Sequence, residues 1–238
     1  MNSFLTPPRF VLAALVGTLV CGNVHAQVLN GNFSSGLTAW TTVGDAGIVS
    51  GAARVTTASF DFDDDFPAVA GAFNISGINA ASGGGVLEAA LGLGSTGLDV
   101  SVSDVAYEGS AIMQTFNVNA GDTLSFNYKF LTNEGSFLDY AFYTINGVKF
   151  NLAQVANATN VSSPFQFETG LLAGNHLFAA SGSVTLGFGV VDIGDFSATS
   201  ALEIDNVTIT PIPEPATTAA LMTAGIFGLT VLRRRRAA

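Results

Sequence analysis

Leu124, Phe126, Tyr128 and Phe130 alternate with Ser125, Asn127 and Lys129, and Val184, Leu186, Phe188 and Val190 alternate with Thr185, Gly187 and Gly189. A repeat of two puts every second side chain on one face of an extended chain, so each run predicts a strand with one buried face. Leu138, Tyr140 and Phe142 repeat the pattern around Asp139 and Ala141, which places the larger three inside; Phe165 and Phe167 flank Gln166 in the same way. No stretch of the body carries a long helical stripe. Turn signals separate the runs at Asn119–Asp122, Asn133–Gly135 and Ala180–Gly182. Asn146-Gly147, between Tyr143–Ile145 and Val148–Phe150, predicts a two-residue hairpin, because both central positions of that turn need positive φ. Many short strands at this spacing predict an all-β fold, an antiparallel β-sandwich of jelly-roll-like form.

One region breaks the alternation. Residues 77–97 are rich in Gly, Ala and Ser, and only Val86–Leu91 looks like a short helix or strand. The expectation is a long surface excursion.

Both ends of the chain differ in character from the body. Arg9 is followed by an apolar run over 10–20, and Val24-His25-Ala26 offers small residues at the positions a signal peptidase reads, so 1–26 is expected to be a signal peptide cleaved after Ala26. At the other end Pro213-Glu214-Pro215 precedes an uncharged apolar run over 216–232, which ends in Arg233, Arg234, Arg235 and Arg236. A helix over that run would cover roughly 25 Å, just enough to cross a hydrocarbon core. The arginines would hold the C-terminus in the cytoplasm and leave the body outside. This tripartite tail over 213–238 resembles the PEP-CTERM sorting signal of Gram-negative bacteria. The resemblance implies handling by exosortase, a membrane protease-transpeptidase, after transient anchoring in the inner membrane, and a final place at the cell surface or in the extracellular matrix.

The body, 27–212, is long enough for one domain with a sizeable core. Cys21 is the single cysteine and leaves with the leader, which removes disulfides and thiolate metal sites from consideration. The chain has a formal net charge of −10, and all of its Lys and Arg except Arg54, Lys129 and Lys149 lie in the terminal segments. So acidic a body repels phosphate backbones, which excludes nucleic acid as a partner. It suits solubility, and it suits divalent cations.

The ends of the body carry a second resemblance. Leu29-Asn30-Gly31-Asn32-Phe33, with Gly36 and Trp40 after it, is similar to the opening strand of jelly-roll carbohydrate-binding modules, and Leu202–Val207 is similar to their closing strand. In those modules an opening Glu and a closing Asp help hold a structural calcium; here Ser34 stands at the Glu position, and only Asp205 carries over. The apolar parity also changes within this strand, since Leu202 and Ile204 share one face and Val207 and Ile209 the other. A bulge at Asp205-Asn206 repairs the mismatch and would re-aim the carboxylate. Asp192 and Asp195 lie shortly before it and are the candidates to complete a calcium site, or else they close a turn. Asp61–Asp65 lacks the spacing of an EF-hand loop and reads as a loose divalent site or a solvated turn. Glu134 and Asp139 read as loop carboxylates within reach of a cation or sugar.

Catalysis finds little support. His176 is the only histidine of the body, and neither a Gly-x-Ser-x-Gly elbow nor a His-Glu-x-x-His pair is present. The sequence therefore points to an exported, non-enzymatic surface or matrix protein associated with extracellular polysaccharide. The alternatives are a calcium-dependent carbohydrate-binding module and, behind it, a glycoside hydrolase. Sugar contact requires exposed aromatics: Trp40 is expected in the core, which leaves Tyr107, Tyr140 and Tyr143.

Overall fold

A computed structural model describes residues 27–61 and 65–212. The expected signal peptide with Ala26, the sorting tail from Pro213 onward and the centre of the Asp61–Asp65 run lie outside them. In chain order the elements are β1 (Thr41–Val43), β2 (Asp45–Val49), β3 (Ala52–Thr56), β4 (Ala81–Ser82), the helix α1 (Val86–Leu91), β5 (Ala106–Val118), β6 (Thr123–Thr132), β7 (Tyr140–Ile145), β8 (Val148–Gln154), β9 (Asn160–Val161), β10 (Phe167–Glu168), β11 (Leu172–Leu177), β12 (Gly182–Ile193) and β13 (Ser200–Thr210). They form two sheets. The first runs β1-β5-β12-β7-β8, with β4 beside β5; the second runs β2-β3-β13-β6-β10-β9, with β11 beside β6. The pairings are antiparallel throughout. The all-β sandwich expected from the alternation is what forms.

The two alternating runs face each other across the core. Leu124, Phe126, Tyr128 and Phe130 of β6 and Leu202 and Ile204 of β13 pack against Val184, Leu186, Phe188 and Val190 of β12. Trp40 joins this core, 5.4 Å from Phe33 and 6.2 Å from Phe188 between ring centroids. The hairpin also forms as expected: Asn146 and Gly147 have φ of 49° and 75°, and Ile145 pairs with Val148.

The outer face of the first sheet departs from the expectation. Tyr140 and Phe142 do not point between the sheets; they pack outward with Met113, Val191 and Ile193 against Leu87 and Leu91 of α1 and against Leu98. The inward face of β7 is taken by Ala141, Tyr143 and Ile145. Both faces of β7 are thus buried, and Leu138, just before it, is 43% exposed. The Gly/Ala/Ser-rich excursion is therefore a structured cover over a second core. Glu88 caps α1 by accepting the N–H groups of Gly84 and Gly85, both at 2.9 Å, and Gly92 ends the helix in the left-handed region.

The outer face of the second sheet stays polar along most of its length. Arg54 of β3 pairs with Glu203 of β13, and Lys129 of β6 lies 3.0 Å from Glu203 and 3.5 Å from Glu168. The opening turn and β13 lock together, since Val207 N–H donates to the Gly31 carbonyl at 2.8 Å. A Cβ on Gly31 would lie 2.0 Å from the Val207 oxygen, so that approach requires glycine. The bulge expected at Asp205-Asn206 is present as a register shift between Asp205 and Thr208, with Asn206 at φ 54°.

Candidate functional site

At one end of the sandwich β3, β6 and β12 finish and β5, β7 and β13 begin. The loops of this end are 57–83, 96–105, 133–139 and 194–199. Here the inter-sheet space turns from apolar to acidic. Asp192 continues the inward parity of Val184–Val190, and Asp139 that of Ala141–Ile145, so strand geometry alone points both carboxyls between the sheets. They are 1% and 0% exposed. Asp139 Oδ2 accepts from Ser200 Oγ at 2.6 Å and Oδ1 from the Ile193 N–H at 3.0 Å. Ser200 Oγ is 2.8 Å from Thr132 Oγ1, which accepts the Glu134 N–H at 2.8 Å.

Two buried carboxyls in contact cannot both ionise cheaply. Burial pushes Asp192 up to about 11, with Asp139, Asp195 and Glu108 adding repulsion. Burial also pushes Asp139 up to about 7, against the opposing hydrogen bonds from Ser200 and Ile193. Asp192 accordingly keeps its proton and donates it to Asp139. Asp192 Oδ1 has no hydrogen-bond partner. The pair acts as a plug at the mouth of the core that carries at most one negative charge at neutral pH.

Above the plug lies a cluster of exposed aromatic rings. Tyr107 is the second residue of β5 and Phe196 follows β12; their centroids are 6.2 Å apart. Phe137 lies against Gly194, where an added Cβ would come within 2.6 Å of its ring. The Phe66 N–H donates to the Ser197 carbonyl at 3.1 Å. Tyr107, Phe137 and Phe196 gather on 194–197, to which Phe66 is tied through its backbone, and the four side chains are 41% to 67% exposed. Partly exposed Asp195 adjoins Phe196 in sequence, and Glu108 adjoins Tyr107 with its Oε1 buried and its Oε2 accepting from Ser59 Oγ at 3.3 Å. Two recesses flank the cluster. One, of about 230 Å³, is lined by Phe137, Leu138, Gln154 and Val155. The other, of about 520 Å³, is lined by Asp99, Val100, Ser101 and Val105.

The residues singled out from sequence fall in several places. Asp192 and Asp195 both reach this end, where Asp195 Oδ1 accepts from the Ser197 N–H and hydroxyl at 2.9 and 3.2 Å. Asp205 does not join them. It lies five positions along β13 from Ser200, about 16 Å at roughly 3.3 Å per strand residue. Its oxygens take the Asn206 N–H at 2.7 Å and side-chain amide at 3.2 Å. Among the described residues no group of three or more His, Cys, Asp or Glu is placed to hold a metal ion. Of the three tyrosines only Tyr107 is exposed; Tyr140 and Tyr143 are buried. Glu134 and Asp139 are not exposed loop carboxylates. Glu134 Oε1 accepts the N–H groups of Gly135, Ser136 and Phe137 at 2.7, 2.5 and 3.0 Å, which shapes the loop that carries Phe137. Asp65 is fully buried and accepts the Phe73 N–H at 3.2 Å, so it is no solvated turn.

His176 sits near the opposite end of the sandwich, its Nδ1 3.3 Å from the Tyr143 hydroxyl and its ring against Phe150 and Phe178. Burial lowers its pKa, which keeps the imidazole neutral at pH 7. The aromatic cluster itself escaped the sequence reading, because Phe66, Phe137 and Phe196 sit in loops outside any period-two run. The one available signal is a large aromatic beside Pro or Asp in a turn, as at Phe66 and Phe196, and Phe137 lacks even that.

No protein-family model matches the chain, and no curated protein matches it. Among solved structures it is similar to a CBM4 carbohydrate-binding module at 12% identity, over 75% of this chain and 98% of that one, with a TM-score of 0.35. A CBM61 module in complex with beta-1,4-galactotriose aligns at 9% identity over 78% and 97%, TM-score 0.35. A family 16 carbohydrate-binding module aligns at 9% over 77% and 98%, TM-score 0.33. Similarity at this level locates no binding residue in this chain.

Proposed function

We propose that the protein is an exported, non-enzymatic surface or matrix component that binds extracellular polysaccharide through the loop end of its sandwich. The observation that carries this reading is the gathering of the exposed Tyr107, Phe137 and Phe196 on 194–197, with exposed Phe66 tied to Ser197 through its backbone. Sugar rings present apolar C–H faces that stack on exposed aromatic faces, while neighbouring polar groups take the hydroxyls. An exposed aromatic cluster rimmed by carboxylates offers both. The sequence likeness of 29–40 and 202–207 to carbohydrate-binding modules adds support, independently of the loop end. The export and sorting part of the proposal rests on the leader and on the tail over 213–238, with signal peptidase and exosortase as processing partners. Among the described residues no helix is long and apolar enough to cross a membrane; the span expected at 216–232 lies outside them.

The test is co-sedimentation of the purified protein with the producing cell's extracellular polysaccharide, in calcium and in chelator. Saturable binding that Tyr107→Ala and Phe196→Ala abolish is the expected result. Binding that survives both substitutions overturns the assignment of the site, and no binding in either condition overturns the function. The calcium and chelator arms also test whether binding needs calcium. Replacing Arg233–Arg236 with neutral residues should impair tail processing; unchanged processing would remove the sorting proposal.

A further inference from the structure

We infer that the glycan taken at the loop end carries free amino groups, so that it presents ammonium charges to Asp195 and the faces of Tyr107 and Phe196, within the field of Glu108. The inference rests on the proposed carbohydrate-binding function and adds to it the chemical class of the ligand.

The argument begins with where the charges lie. The described segments of this end, 57–61, 65–83, 96–108, 133–139 and 192–199, contain no Lys, Arg or His, and each contains at least one carboxylate. The basic side chains of the body are all elsewhere. Arg54 and Lys129 are engaged with Glu203 and Glu168 on the outer face of the second sheet. Lys149 donates to the Tyr140 hydroxyl at 2.7 Å and lies 4.7 Å from that ring's centroid, and His176 is neutral among aromatics. A polysaccharide of uronates, sulfates or phosphates would meet a field of its own sign here with no cation to answer it. An amine-bearing polymer would meet complementary charge.

The local geometry suits the ammonium group. The Asp195 carboxylate adjoins Phe196 in sequence, whereas Glu108, next to Tyr107, turns to the other face of β5, where its Oε1 is buried and its Oε2 accepts from Ser59 Oγ at 3.3 Å; both acids repel the buried Asp192 and raise its pKa. The three acids and the two rings therefore share one locality. An ammonium over an aromatic face gains from the ring quadrupole, and a carboxylate beside it adds a charge-assisted hydrogen bond. Acetylating the amine removes the charge and leaves the sugar ring intact, so the two contributions can be separated.

The experiment measures binding of the purified protein to a glucosamine oligosaccharide with free amines and to its N-acetylated counterpart, at low and at high salt. The free-amine oligomer is expected to bind at least about tenfold more tightly, the equivalent of roughly 1.4 kcal/mol, with the preference shrinking as salt rises. Combined Glu108→Gln and Asp195→Asn should abolish the preference and leave residual binding of the acetylated oligomer. Asp205→Asn, which removes one charge far from this end, should leave the preference intact. Equal affinity for the two oligomers overturns the amine inference while the aromatic sugar platform stands. A loss with Asp205→Asn as large as with the loop-end pair shows non-specific attraction of a polycation and overturns it too. No binding of these or of any other glycan, with the fold intact by circular dichroism, overturns the underlying function instead.

Discussion

The two sheets wear different outer faces. On the first, α1 and the chain around it cover Met113, Tyr140, Phe142, Val191 and Ile193 and build a second core. On the second, Arg54, Lys129, Glu168 and Glu203 form a ladder of charge whose side chains are 13% to 26% exposed. The strands beneath differ accordingly: β6 alternates apolar and polar, while β7 is buried at every position. A sheet with one face in water writes its orientation into the sequence, and a sheet covered on both faces erases it. The difference also divides the energetics. Covered apolar area stabilises through lost water contact, whereas ion pairs that remain in reach of water gain little over their hydration.

Leu87→Ala would cut the covering helix out of the second core, where Leu87 is fully buried, and should cost about 2 to 5 kcal/mol in chemical denaturation. A cost under about 1 kcal/mol would mean that the cover does not stabilise the fold, and the contrast between the faces would collapse.

Asp192→Asn probes the end where the inner faces of both sheets close. At pH values below the ordinary carboxylate range the folded and unfolded chains both hold the proton. As pH rises the unfolded chain releases it first, because burial raises Asp192 to about 11 and Asp139 to about 7 in the folded state. Stability must therefore fall as pH climbs from about 4 through neutrality. The asparagine keeps the shape and a donor toward Asp139 without the proton, so the decline should flatten, each pKa unit of elevation removed being worth about 1.4 kcal/mol. A melting temperature with the same pH slope in both proteins would refute the shared proton.

On the polar face, Glu203→Gln should cost about 1 kcal/mol or less, and added salt should shrink the cost further. A loss comparable to that of Leu87→Ala would place the ladder among the main supports of the fold. Tyr107→Ala should be smaller still in denaturation, within about 0.5 kcal/mol as for other exposed positions, while removing polysaccharide binding. A large loss of stability there would make the ring a structural element.

How far the sequence could be read follows the same division. The sandwich, the Asn146-Gly147 hairpin, the core position of Trp40 and the Asp205-Asn206 bulge were all legible, because alternation, turn chemistry and a parity break each have one geometric solution. The orientation of β7 was not. With Tyr140 and Phe142 on one face and Tyr143 and Ile145 on the other, hydrophobicity gives no vote, and only the cover over 77–97 decides. That cover looked like a loop because its apolar contacts, Leu87, Leu91 and Leu98, are spread through Gly and Ser. The carboxyl pair was half legible. Parity already put Asp192 on the Val190 side, yet a charge at an inward position argues against itself until a partner such as Asp139 is seen. The calcium grouping failed on distance, since neighbours in sequence across the β12–β13 turn diverge once β13 runs down the other sheet.

Ile212 lies against Gly121, in the turn between β5 and β6, and so marks the end of the sandwich away from the aromatic loops. β13 alone separates the two ends by about 35 Å at roughly 3.3 Å per residue. Any tether acting through the chain beyond 212 would hold the domain by its foot, with the aromatic rings outermost. In that posture a layer of tethered copies would present a lawn of ring-bearing tips, each able to grip a different stretch of one long polymer. Weak single contacts would then add into durable adhesion through effective concentration, with no need for a deep or tight individual site.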